Sequence, residues 1–159
     1  MSHPVIHRSF SIERTYPTTA ARVFRALSDP QIKRRWFAEG EGFTVDSYAL
    51  DFRVGGFERT RFRFGDGPPM TADAVYLDIV TNERVVFAYA MTMGGAPLSS
   101  SLGTMELVPA PSGTLLRFTE HTAFVDGKDG SAARREGSIG LLEALARELE
   151  TTGAKGSDS

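Results

Sequence analysis

Glu120 is the residue whose type and position point most directly to chemistry. It lies in the stretch "GTLLRFTEHTAFVDG" (113–127), two residues after Phe118 and four after Leu116. Side chains alternate across a strand, so Glu120 and Thr122 share the face of Leu116 and Phe118, while Arg117, Thr119 and His121 take the other. A carboxylate on an inward face either keeps a partner that holds it charged or has its pKa raised by burial. Such a group could orient a polar function of a ligand or act as a general acid or base. The plainer alternative is a glutamate at a cavity mouth, hydrogen-bonded to a neighbouring Tyr or Arg. The pattern assigns no second titratable side chain to the same face, and a one-residue bulge would reverse the placement.

Other routes to chemistry are closed or weak. Cysteine is absent, which excludes thiolate nucleophiles, disulfides and Cys-ligated zinc. The three histidines are His3, His7 and His121. His3 and His7 are four apart, but they fall on a terminal strand and not on one helix face, so no metal site is expected. There is no G-x-S-x-G elbow, no phosphate-binding G-x-x-x-x-G-K-[ST] and no G-x-G-x-x-G after a strand. "GSIG" (137–140) sits inside a helical pattern. No cofactor is expected. Arg59, Arg61 and Arg63 could grip an anion, although an alternating stripe of this kind reads first as the solvated outer face of a strand. Asp51 and Arg53, two apart on one strand face, could pair or pin the Gly55-Gly56 turn.

The elements that must position these residues follow from hydrophobic period. Phe10 and Ile12 alternate with polar residues in a first strand (5–14) that Pro17 ends. Thr18 or Thr19 can cap a short helix, "AARVFRALS", and Asp29-Pro30 opens a second, closed by Trp36 and Phe37. From Phe43 to Phe118 the period is two, broken by turn clusters into six strands. The apolar pairs are Phe43/Val45, Phe62/Phe64, Val75/Leu77/Ile79, Val85/Phe87/Tyr89/Met91, Met105/Leu107 and Leu116/Phe118. Residues 131–150 return to a helical period, with Leu141, Leu142, Leu145 and Leu149 on one stripe. An antiparallel sheet with one apolar face and one long helix to cover it predicts an α+β domain.

Composition bounds the function. The 159 residues suit one domain, and 18 basic against 20 acidic residues give a net charge of −2, with no electrostatic case for nucleic acid. Fifteen of the basic residues are Arg. No apolar run approaches the ~20 residues that span a bilayer, so no membrane partner is expected and the location is read as cytoplasmic.

Four stretches resemble a known superfamily: "AARVFRALSDPQIKRRWF" (20–37), "LDFRVGG" (50–56), "LDIVTNERVVFAYAM" (77–91) and "GTLLRFTEHTAFVDG" (113–127). Together with the element order they resemble the START-like, or SRPBCC, superfamily with its helix-grip fold. Within it they resemble the polyketide-cyclase-like branch related to the C-terminal domain of the activator of heat-shock-protein-90 ATPase. That resemblance implies a seven-stranded curved antiparallel sheet wrapped around one long C-terminal helix, with two short helices after the first strand. It also implies a cavity between the concave face and the helix. The length suits a single domain over 1–151, and the small, polar stretch 152–159 is expected to be a disordered tail. Two departures stand out: Ser138 where relatives carry a bulkier residue, and Glu120-His121 where many have Glu-Gln or Thr-His.

The implied cavity and the strand parity together select candidate ligand-binding residues. Trp36 and Phe37 belong at its rim, where an aromatic can stack on a flat ligand. Phe62, Phe64, Phe87, Tyr89, Met91 and Phe118 fit a cavity wall or an ordinary core equally well, and Glu120, Thr122 and Leu141 join them. Gly137 and Gly140 each cost about 1 kcal/mol in a helix relative to Ala, so they serve either close helix–sheet packing or vacated space. The leading expectation is a binding protein for a hydrophobic, aromatic, lipid or polyketide-like small molecule, with a homodimer left open. A cyclase or hydrolase using Glu120 is the alternative. A chaperone-ATPase-activator module ranks last, because that relative carries an additional N-terminal domain for which this chain has no room.

Overall fold

A computed structural model describes residues 4–39 and 42–155, with side chains as far as Thr151. His3 therefore lies outside the described residues. So does 156–159 of the expected tail, whereas 152–155 continue the last helix.

The chain runs β1 (Ile6–Tyr16), α1 (Ala20–Ser28), α2 (Pro30–Lys33), a π-helical turn (Arg34–Ala38), β2 (Thr44–Leu50), β3 (Phe57–Arg63), β4 (Met70–Val80), β5 (Arg84–Met93), β6 (Ala96–Ala110), β7 (Gly113–Phe124) and α3 (Ser131–Lys155). The strands form one antiparallel seven-stranded sheet in the order β1-β7-β6-β5-β4-β3-β2, curved around α3. This is the α+β helix-grip architecture expected from the hydrophobic periods and the resemblance.

Local chemistry explains the helix starts. The Arg22 N–H donates to Thr19 Oγ1 at 3.2 Å, and the Gln31 and Ile32 N–H groups donate to Asp29 Oδ1 at 2.9 and 3.2 Å. Pro30 takes the first helical position, where no N–H is missed. The α3 leucines divide. Leu142, Leu145 and Leu149 are buried in the core with Ile12, Tyr16, Val23 and Leu27, whereas Leu141 is only half-buried. The Tyr16 hydroxyl donates to the Leu142 carbonyl at 2.9 Å, tying α3 to the β1 edge.

Two expectations are corrected. Val75 and Leu77 face outward on β4, 40% and 49% exposed, and Met70, Ala74 and Tyr76 are the buried set. A register shift between Tyr76 and Asp78 disrupts the alternation toward the end of that strand. Asp51 and Arg53 do not share a strand face, because β2 ends at Leu50. Asp51 closes the ladder through reciprocal bonds with Phe57 (2.7 and 3.0 Å), and Arg53 sits in the turn, its Nε 2.9 Å from Asp51 Oδ2. Gly56 is required there, since a Cβ would lie 2.1 Å from the Asp51 carbonyl oxygen.

Gly103 on β6 performs a related task inside the sheet. A Cβ on it would lie 2.5 Å from Phe87 Cζ, so the Phe87 ring rests on bare backbone and stacks at 6.4 Å on Phe118. Gly103→Ala is expected to push Phe87 aside and lower stability by about 1–3 kcal/mol. Urea unfolding with an unchanged midpoint would contradict this packing.

Candidate functional site: a cavity between sheet and helix

β7 carries no register shift against either neighbour, so the parity placing Glu120 inward holds. Glu120 is fully buried. Its Oε1 accepts from the Tyr89 hydroxyl at 2.8 Å, and its Oε2 accepts from Ser101 (3.2 Å), Thr122 and Arg134 Nη1 (3.0 Å). Arg134, on the first turn of α3, also donates to Tyr89 Oη at 3.2 Å and Ser99 Oγ at 2.7 Å. Its guanidinium carbon lies 5.2 Å from the centre of the Phe124 ring. Burial, reinforced by the Glu120 charge, pushes the Tyr89 phenol above its ordinary range. The carboxylate is thus held by a cation and three hydroxyls, with a Tyr and an Arg among its partners.

Above the sheet, α3 presents small residues. Ala133, Gly137, Gly140 and Ala144 recur at spacings of four, three and four and line a cavity of about 1100 Å³. A Cβ added at Gly137 or Gly140 would meet nothing within 4 Å. Close helix–sheet packing therefore does not explain these two glycines, both of which are exposed.

The walls gather most of the candidates. Trp36, Phe37, Phe62, Phe64, Phe87, Tyr89, Met91, Phe118, Glu120 and Leu141 all border the cavity. Trp36 is buried and its indole N–H donates to the Ala26 carbonyl at 2.9 Å, so it is a fixed wall and not a mobile rim. The π-helical turn is wider than an α-turn and lets the consecutive Trp36 and Phe37 both border the space, their rings 5.8 Å apart. Phe64 is 56% exposed and clusters with Phe43 and Phe62. Thr122 departs from expectation: it shares the inward face but does not reach the wall, its hydroxyl being held by Glu120 and Ser101.

Three residues escaped the sequence reading. Arg134 is one. The others are Lys33 and Glu58, paired at 2.8 Å, both buried and both on the cavity wall. Glu58 has the parity of Phe62 on β3, the signal that located Glu120, but the neighbouring arginines hid it. Those arginines form the solvated outer face: Arg61 pairs with Asp73 at 2.6 Å and Arg63 with Asp46 at 3.3 Å. Among the described residues no three His, Asp or Glu side chains gather as a metal site. No helix among them is long and apolar enough to cross a membrane.

A curved antiparallel sheet gripping a long C-terminal helix is the helix-grip fold of a START-like protein. The chain belongs to the family of Activator of Hsp90 ATPase homolog 1-like proteins, whose family model matches residues 17–150. It is similar to the crystal structure of the Mll3558 protein from Rhizobium loti, with 50% identity over 92% of this chain and 99% of that one and a TM-score of 0.85. An uncharacterized protein from Rhizobium leguminosarum is 40% identical over 94% of this chain and 98% of its own, with a TM-score of 0.90. DynU16, a protein in the dynemicin biosynthetic locus, shares the fold at 22% identity and a TM-score of 0.63, covering 90% of this chain and 47% of that one. No protein of curated function matches the chain.

Because nothing opposes a methyl group there, Gly137→Ala and Gly140→Ala should each stabilise the protein by about 0.5–1 kcal/mol through helix propensity. A loss of stability in urea unfolding would mean that the helix packs closely at these positions. Arg134→Met leaves Glu120 buried without its cation and should destabilise by about 3 kcal/mol. A change below about 0.5 kcal/mol would show that the pair does not hold the helix start.

Proposed function

We propose that the protein binds an apolar small molecule, aromatic, lipid or polyketide-like in character, in the cavity between the sheet and α3. The observation that carries this reading is the cavity itself, about 1100 Å³ in volume, bordered on α3 by Ala133, Gly137, Gly140 and Ala144 together with larger residues such as Leu141 and Leu142. A volume of this size lies just above the usual range of small-molecule pockets, which combine apolar walls with a few fixed polar groups. Two glycines that weaken α3 without relieving any contact are accounted for if the space they leave has an occupant.

Supporting binding over acid–base chemistry is the state of Glu120. A general base needs a carboxylate oxygen free to meet a substrate proton, and here four donors occupy both oxygens. Its part in this reading is to hold Arg134, and with it the helix start, over the sheet. A chaperone-directed role would use an exposed surface and not the cavity, so a ligand screen separates that reading too.

The test is a ligand-observed NMR screen against fatty acids, flavonoids and polyketide-like aromatics, repeated with Gly140→Leu. Hits should bind without being converted. The leucine, growing into open space, should abolish their binding while the unfolding midpoint stays within a few degrees. Conversion of any hit would favour the enzyme. Hits that bind Gly140→Leu as well as the parent protein would place binding outside the cavity.

A further inference from the structure

The two buried ion pairs on the cavity wall are unequally satisfied. Around Glu120 both carboxylate oxygens accept hydrogen bonds. Around Glu58 only Oε2 is used, by Lys33 at 2.8 Å and by the Tyr48 hydroxyl at 2.5 Å. Glu58 Oε1 has no hydrogen bond among the described residues. The Lys33 ammonium has three donors, of which Glu58 takes one, while the Phe37 ring centre lies 4.5 Å from Nζ.

Two hydroxyls beside this pair are also unbonded. Thr60 follows Glu58 on the inward face of β3, and Tyr76 lies diagonally across the β3–β4 ladder from Glu58. They are 5% and 3% exposed and both line the cavity. Neither hydroxyl has a hydrogen-bond partner among the described residues. Among the described residues no buried side-chain polar atom is sealed away without a partner, so these groups, which line the cavity, keep access to it. Burial raises the Tyr76 phenol above its ordinary range, and the Glu58 charge raises it further, so it remains a neutral donor. The residues opposite Thr60 and Glu58 on β4 are Ala72 and Ala74, which leaves room in front of the group.

A desolvated cluster with spare donors and a spare acceptor carries a cost that a complementary ligand group removes. Lys33 and Glu58 cancel in charge, so an anionic or cationic group would arrive uncompensated. A hydroxyl suits the arrangement, since it accepts from Lys33 and donates to Glu58 Oε1 at once. We propose that this end of the cavity recognises a hydroxyl, phenolic or alcoholic, on an otherwise apolar and uncharged ligand. This rests on the cavity-binding reading and adds the chemistry and the place of the polar contact.

The test is calorimetric titration of the full chain with three probes: stilbene, para-hydroxystilbene and stilbene-para-carboxylate. The hydroxyl should tighten binding about tenfold over stilbene, as one hydrogen bond to charged partners does, and the carboxylate should bind more weakly than the phenol. In the double variant Lys33→Met/Glu58→Leu, which removes both charges together and leaves neither stranded, stilbene should still bind and the phenol's advantage should fall below about twofold. If that variant does not fold, Tyr76→Phe, which removes only an unbonded hydroxyl, should reduce the advantage at least about threefold. Equal binding of stilbene and para-hydroxystilbene, an advantage that survives these substitutions, or tightest binding by the carboxylate would each overturn the proposal and leave cavity binding standing. Failure of all three probes to bind the parent protein would overturn the cavity reading and this proposal with it.

Discussion

A carboxylate fully removed from water sits on the concave face of the sheet, and much of the architecture follows from neutralising it. Stranding a buried charge costs several kcal/mol, so Glu120 fixes the position of the cation that satisfies it. That cation is on the first turn of α3, and the pairing therefore sets where the long helix begins. Asp129, just before the helix, adds a second tie: it accepts from the Ser131 N–H at 3.0 Å and pairs with Arg8 of β1 at 3.1 Å. Further along, Leu142, Leu145 and Leu149 bury against β1 and α1. The helix is thus fastened at its start and along one side. Ala133, Gly137, Gly140 and Ala144 border the cavity.

A helix bearing leucines on every position that borders the sheet would make an ordinary core. Here the packing is concentrated on Leu142, Leu145 and Leu149, and Gly137 and Gly140 add no side chain beside them. Charge is distributed along the same wall. Glu120 and Glu58 lie on β7 and β3, four strand spacings apart in the sheet order, or roughly 19 Å along it. The first is hydrogen-bonded at both oxygens by its own neighbours. The second retains unused donors and an unused acceptor beside Thr60 and Tyr76. In the reading proposed above, this second pair supplies the polar contact of the cavity.

How much of this was legible in the sequence depends on whether the information is local. The caps at Thr19 and Asp29, Pro30 at a first helical position and the change of period near residue 130 are local signals, and they located the elements. Parity on β7 placed Glu120 because the strand has no bulge. On β4, the apolar alternation of Val75 and Leu77 pointed to the wrong face, since burial there falls to Ala74 and Tyr76 in register with β3. Arg134 was not legible because nothing in a helical stretch rich in charge tells which arginine turns toward a sheet formed tens of residues earlier. Lys33 was hidden for the same reason. Glu58 was accessible to the parity argument through Phe62, but it stands among arginines that mark the opposite face. Polar partners at long sequence separation are set by tertiary packing, and the one-dimensional pattern does not record them.

The central claim is that the space beneath Gly137 and Gly140 is where this protein meets its ligand. Backbone and indole N–H chemical shifts, followed while para-hydroxystilbene is titrated into the labelled full chain, test it most directly. The account predicts saturable shifts at Gly137, Gly140 and the Trp36 indole, with the outward-facing Leu102 and His121 unmoved. Shifts concentrated on that outer face, or none at any position, would contradict it.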